Sequence, residues 1–203
     1  TVLQQAWDAG ARIQLNSWGS ADRGTYGVDT RAIDQFVWDH PEMLVVAAAG
    51  NAATDLAPAD GVVDGGSVGS PATAKNVLTV GASEGRCEAA RTWRDSWPED
   101  FAVEPIALDP VAQKNGPQGL AAFSGRGPCA DGRIKPDLVA PGTQLISTRS
   151  SQAEGTAWGL ADNTNYLFAG GTSLAAAQVA GAAVLARQEL AEERGQTAPS
   201  AAL

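Results

Sequence analysis

Short apolar runs alternate along this chain with stretches of helical periodicity, which is the pattern of parallel strands joined by crossover helices. Residues 11–17 (Ala-Arg-Ile-Gln-Leu-Asn-Ser) alternate apolar and polar positions and predict a strand. Residues 30–40 place Ile33, Phe36 and Val37 on one face of a helix. Residues 43–49 are apolar without a break, as a strand covered on both faces must be, and residues 77–80 predict another. Residues 138–140 and 144–148 predict two more strands, separated by the turn Pro141-Gly142. The longest helical pattern runs over residues 173–193, with Val179, Ala182, Ala183, Ala186 and Leu190 at helical spacing.

Two stretches show no period. Residues 83–121 mix Trp, Pro and charge, residues 150–165 are polar, and both read as loops. A structureless stretch of nearly 40 residues is unusual in a compact domain, so the first is expected to be a functional loop, a subdomain or a misread element. The chain opens on a helix-like segment already in progress, and residues 199–203 close on no element. The chain is therefore expected to be one portion, residues 1–203, of a longer domain.

Composition narrows the function. With 203 residues and 44% hydrophobic content the chain can bury a core. Acidic side chains outnumber basic ones 23 to 14, for a net charge of −9, which disfavours nucleic acid and anionic membrane surfaces as partners. The apolar runs fall far short of the ~20 residues of a membrane span, so a soluble protein is predicted. No basic start followed by an apolar run marks a secretory signal. Cys87 and Cys129 read either as one disulfide or as two separate thiols, and neither has metal-binding spacing.

Candidate chemistry begins with Ser173, after Gly170-Gly171-Thr172 at the head of the long helix. Its hydroxyl could cap the helix, or it could be a nucleophile beside backbone N–H groups and a helix dipole that favour a developing negative charge. The nucleophile elbow of α/β hydrolases needs glycine two residues after the serine, where this chain has Ala175, so that arrangement is excluded. Asn51, after Gly50 at a predicted strand end, is either a turn residue or an amide donor.

The surrounding blocks resemble the subtilisin family of serine proteases. Gly171-Thr172-Ser173-Leu174-Ala175-Ala176-Ala177-Gln178-Val179-Ala180-Gly181 is similar to the family's nucleophile motif. Val45-Val46-Ala47-Ala48-Ala49-Gly50-Asn51 resembles the strand ending in the oxyanion asparagine, and residues 70–82 resemble the segment after it. Phe123-Ser124-Gly125-Arg126-Gly127-Pro128 and residues 131–142 are also typical, and the blocks stand in the family's order. Asn-Ser-Trp-Gly at residues 16–19 and the Arg-Gly-Pro block most resemble the oxidatively stable alkaline proteases of bacilli.

The resemblance implies a three-layer α/β fold with a mostly parallel sheet flanked by helices, truncated on its N-terminal side. It implies a secreted endopeptidase acting on polypeptides through an acyl-enzyme on Ser173, with Asn51 in the oxyanion hole. Ser17, Trp18 and Gly19 would form one wall of the substrate groove, and Ala48, Ala49 and Gly50 the other. The family's catalytic Asp and His would precede Thr1. The sole histidine, His40, stands in Trp38-Asp39-His40-Pro41, outside any such motif, and reads as a surface or helix-end residue. These residues alone are therefore expected to be inactive, and a polypeptide confined to them to self-associate through unpaired strand edges. No cofactor is expected for catalysis. Structural calcium is common in the family, but Asp55, Asp60 and Asp64 match no calcium loop and read as solvated acids, so no metal ligand is assigned. Pro, His and Met are usual in the family where Ala177, Gln178 and Leu174 stand, which keeps open a second class of function, a non-catalytic peptide-binding or structural relative.

Overall fold

The structure is a computed structural model and describes residues 1–87, 91–113, 119–195 and 198–201. Four strands, β1 (Ile13–Asn16), β2 (Leu44–Ala48), β3 (Leu78–Ser83) and β4 (Leu138–Pro141), lie side by side in chain order. All their pairings are parallel, with Leu15 opposite Val46, Val46 opposite Leu78, and Val80 opposite Leu138.

Alternate side chains of β2 feed two cores. Val45 and Ala47 pack with Leu3 of helix α1 (Val2–Asp8) and with Ile33 and Val37 of α2 (Val28–Asp39). Val46 and Ala48 point to the opposite face and pack with Ala175, Ala176 and Ala180. Those alanines belong to the last helix, which leaves no doubt about the layering: helices cover both faces of the sheet, as the continuous apolar character of residues 43–49 requires. The result is the expected three-layer α/β arrangement.

The 83–121 stretch is more ordered than its aperiodic sequence predicts, although residues 88–90 and 114–118 lie outside the described residues. It holds a short helix, α3 (Trp93–Ser96), and a 3-10 turn at Ile106–Leu108. Thr92 starts α3 with a capping box, its hydroxyl accepting from Asp95 N while the Asp95 carboxylate accepts from Thr92 N. Trp93, Phe101 and Val111 are fully buried. A few large rings, not a repeating apolar face, provide this burial, and so no period appears in the sequence.

An antiparallel ribbon of β5 (Leu145–Thr148) and β6 (Tyr166–Ala169) follows β4. No sequence pattern predicts β6, a four-residue run between a polar loop and a Gly-Gly pair. It leads into α4 (Thr172–Glu192), which crosses the sheet and touches all four parallel strands.

Candidate active site

The C-terminal ends of β1 and β2 and the N-terminus of α4 meet around one cavity of about 230 Å³. Ligands of open parallel sheets bind at this end of the strands. Ser17, Trp18 and Gly19 line one side, Ala48, Ala49 and Gly50 another, and Asn51 and Ser173 also lie on its wall. All eight residues singled out from the sequence thus share one cavity. A larger space of about 890 Å³ opens at the other end of the sheet, by Ile13, Leu44 and Leu78, where none of these residues lies.

Sequence reasoning missed the cavity's floor and its hidden partner. Ser67, Gly69 and Ser70 close the bottom. They are fastened to the segment after β1 by Ser20 N–H to Ser70 O (2.8 Å), Gly24 N–H to Val68 O (2.6 Å) and Ser70 N–H to the Asp22 carboxylate (2.7 Å). A side chain at Gly69 would overlap the Ser20 carbonyl, so glycine is required for this approach. Among the described residues no charged side chain lines the cavity.

The hidden partner is Thr172, which is fully buried. Its backbone N–H and its hydroxyl both donate to Asn51 Oδ1, at 2.9 Å each, and the same hydroxyl accepts from Gly50 N–H at 3.2 Å. A backbone N–H can only donate, so the Asn51 atom facing it is the oxygen. Asn51 Nδ2 is left without a partner among the described residues, on the cavity wall. The motif Gly-Thr-Ser contained the signal for Thr172, since a threonine beside a candidate nucleophile has a donor and an acceptor to place.

Ser173 does not cap α4. The N-cap is Gly171, at φ 144°, and Ser173 is the second helical residue. Its hydroxyl donates to Ser17 O at 3.2 Å, and the Ser17 hydroxyl returns a bond of 3.2 Å to Ser173 O. The Ser173 backbone N–H takes no partner among the described residues, while the next two amides of the helix bond Gly171 O. Two free N–H donors, Ser173 N and Asn51 Nδ2, therefore stand on residues of one uncharged cavity at the positive end of a 21-residue helix.

His40 is elsewhere. It terminates α2, stacks on Phe36 at 4.2 Å, meets Trp7 edge-on at 4.6 Å, and its Nδ1 donates to Phe36 O. No other histidine exists in the sequence, so no imidazole of these residues lines the cavity. Cys87 and Cys129 are separate free thiols, both pushed up in pKa by burial, and Cys87 donates to Gln144 O. Asp55, read above as a solvated acid, is instead buried and accepts from Asp60 N–H and Gly61 N–H, while Asp64 accepts from Leu56 N–H and Ala57 N–H. Among the described residues no group of three or more His, Cys, Asp or Glu fits a metal ion. No described helix is long and apolar enough to cross a membrane.

A four-stranded parallel sheet between helices, with Ser173 at a helix start and Asn51 beyond a strand end on one cavity, places the chain in the α/β class. The chain belongs to the Subtilase family, peptidase S8, which matches residues 1–200. It is 30% identical over 244 aligned residues to the "Serine protease/ABC transporter B family protein tagD" of Dictyostelium discoideum, covering 94% of this chain and 13% of that protein. It is 30% identical over 149 residues to the "Serine protease AprX" of Bacillus subtilis, covering 72% of this chain and 26% of that one. Among solved structures, Sphericase aligns with a TM-score of 0.56 at 21% identity over 98% of this chain and 48% of the other. The prenylagaramide maturation protease PagA aligns with a TM-score of 0.56 at 22% identity over 95% and 49%. The chain thus spans about half of these solved chains and a far smaller share of the curated relatives. These structural likenesses establish the fold.

Proposed function

We propose that these residues form the nucleophile and oxyanion side of a serine endopeptidase that cleaves polypeptides. The observation that carries this reading is the convergence of Ser173 and the unengaged Asn51 amide on one cavity. An extended peptide adds as a strand between residues 17–19 and residues 48–50, which gives main-chain affinity and leaves the cavity for one side chain. A base outside these residues takes the Ser173 hydroxyl proton as the oxygen attacks the scissile carbonyl carbon. The carbonyl electron pair moves onto its oxygen, which Asn51 Nδ2 and Ser173 N–H stabilise. Collapse of the adduct breaks the C–N bond, the base returns the proton to the leaving amine, and the acyl group stays on Ser173 until water hydrolyses it.

The finer parts of the reading are carried by the resemblance: likeness to the oxidatively stable alkaline proteases, secretion, and a catalytic Asp and His in a longer protein. Leu174, next to the nucleophile, is an unoxidisable side chain and supports the first of these. The contact between Ser173 Oγ and the Ser17 carbonyl favours a second reading, a relative that binds peptides without cutting them, because this hydroxyl faces an acceptor that cannot take its proton.

A serine-directed phosphonate separates the two. The 203-residue polypeptide is expected to react slowly and to leave casein intact, while a longer protein that supplies Asp and His is labelled rapidly on Ser173. Rapid labelling of the 203-residue polypeptide overturns the assignment of the base to residues outside it. Absence of labelling in the longer protein selects the peptide-binding reading.

A further inference from the structure

Trp158 lies on the strand-connecting loop before β6 and has no part in the chemistry above. Its six-membered ring is pressed against Gly170: a Cβ built on that glycine would overlap Trp158 Cη2, Cζ3 and Cζ2. Gly170 does not have a positive φ, so its backbone would accept alanine, and the indole is the obstacle. Trp158 is itself fixed from several sides. Its backbone N–H donates to Phe168 O at 2.9 Å, its ring meets Trp97 edge-on at 5.6 Å and Phe123 at 6.1 Å, and the Arg91 guanidinium sits over the ring at 5.0 Å.

The same aromatic cluster reaches the other half of the site. Phe123 O accepts from Ala53 N–H at 3.1 Å, and Gly125 N–H donates to Gly50 O at 2.8 Å, so Asn51 is held between two bonds to the segment that carries Phe123. On its other side, Gly170 continues into Gly171, whose N–H donates to Gly142 O at 2.7 Å, and then into Thr172. Trp158 touches both the turn that presents Thr172 and Ser173 and the ring whose backbone anchors Asn51.

We propose that Trp158 is a positioning residue: by clamping Gly170 and bearing on Phe123, it sets the distance between Thr172 and Asn51, and hence the direction of the Asn51 amide. The 83–121 stretch, through Trp97, is the support behind that clamp. The consequence for catalysis rests on the proposed function, whereas the structural coupling does not.

Native-state hydrogen exchange of the 203-residue chain reads the coupling directly, with the Thr172 amide compared with that of Val37 in α2 on the far face of the sheet. Trp158→Ala is expected to speed Thr172 exchange by about tenfold more than Val37 exchange. Phe101→Ala, which damages the same aromatic cluster away from Gly170, speeds both amides together. Where Trp158→Ala fails to fold, Gly170→Ala serves alone: it is expected to speed Thr172 exchange selectively, and Trp158→Phe in the same chain to relieve part of that effect. The proposal is overturned if Thr172 and Val37 respond in parallel in Trp158→Ala, or if Gly170→Ala leaves Thr172 exchange unchanged. In a longer, active protein, Trp158→Phe is expected to lower kcat with KM unchanged, and a changed KM at constant kcat overturns the positioning role in catalysis. A chain without peptidase activity would still show the exchange coupling, so loss of the functional reading and loss of this one are told apart.

Discussion

Asn51 and Thr172 stand 121 positions apart in sequence and are joined by two hydrogen bonds to a single oxygen, each 2.9 Å long. The pair links a strand end to the first turn of α4, so the docking of helix on sheet aims the Asn51 amide, and no loop has to do so. This makes the amide a rigid donor, the property that gives such groups their catalytic effect.

Asn51→Ala is expected to lower the turnover of an active protein by about 100- to 1,000-fold with little change in KM, measured on a peptide substrate. Asn51→Asp keeps an acceptor for Thr172 yet has no N–H for the oxyanion and adds a negative charge beside it. Its turnover is expected to fall at least as far. A variant of either kind with near-normal kcat would remove Asn51 from the mechanism.

Thr172→Val keeps the shape of a fully buried side chain and deletes its hydroxyl. Gly50 N–H then loses its acceptor and Asn51 Oδ1 one of its two donors. A loss of about 1–2 kcal/mol in unfolding free energy is expected by urea titration, with turnover falling about tenfold as the amide gains freedom. Thr172→Ser restores both bonds and most of the turnover.

The parallel strands were legible because burial on both faces leaves a continuous apolar run, as at Val45, Val46, Ala47 and Ala48, whose alternate side chains enter two different cores. Ser173 and Asn51 were legible through motifs, each a short run of residue types in fixed order. Thr172 stands in the same motif as Ser173, which marks a donor and an acceptor to place, but the motif does not name their partner, Asn51, which is distant in sequence. The aromatic cluster of Trp93, Trp97, Phe123 and Trp158 was illegible for a related reason. Its rings come from separated turns, Trp93 stacking on Trp97 at 5.5 Å and the other pairs meeting edge-on at 5.6–6.1 Å, which produces burial without period. Strand β6 is too short for alternation to register, and its pairing with β5 is what makes it a strand.

Lys135 supplies a test of the scaffold away from the cavity. It is only 6% exposed, and its ammonium donates to Val77 O at 2.9 Å and to the Asp137 carboxylate at 2.7 Å. That carboxylate also accepts from Thr79 N–H, which ties the approach to β4 onto β3. Lys135→Met leaves a buried carbonyl without its donor and a carboxylate without its counter-ion. Because Asp137 is partly exposed, water offsets some of the loss, and a destabilisation of about 2 kcal/mol is expected from the urea midpoint. Added salt is expected to change this difference little, since the ammonium is buried.

Glu84, which follows β3 and is 4% exposed, is expected to give the chain a pH dependence whose sign follows from its burial. Burial is the main cause that pushes its carboxyl above the ordinary 4.5, against the opposing pull of the Gly119 N–H bond. A carboxyl that holds its proton more tightly in the native state than in the unfolded chain releases it on unfolding in the window between the two values. Stability therefore falls as pH rises from 4.5 through the raised value, and above it the full cost of a buried charge persists. Glu84→Gln removes that charge and keeps an acceptor, because Gly119 N–H and the Gln113 amide both reach the same oxygen, Oε2. The variant is expected to melt higher than the parent at about pH 8 and to lose this advantage at about pH 4, where the parent carboxyl is protonated in both states. Thermal midpoints across that range measure the effect. An advantage that grows as the pH is lowered would mean that Glu84 is stabilised as a carboxylate and that its bonds outweigh its burial.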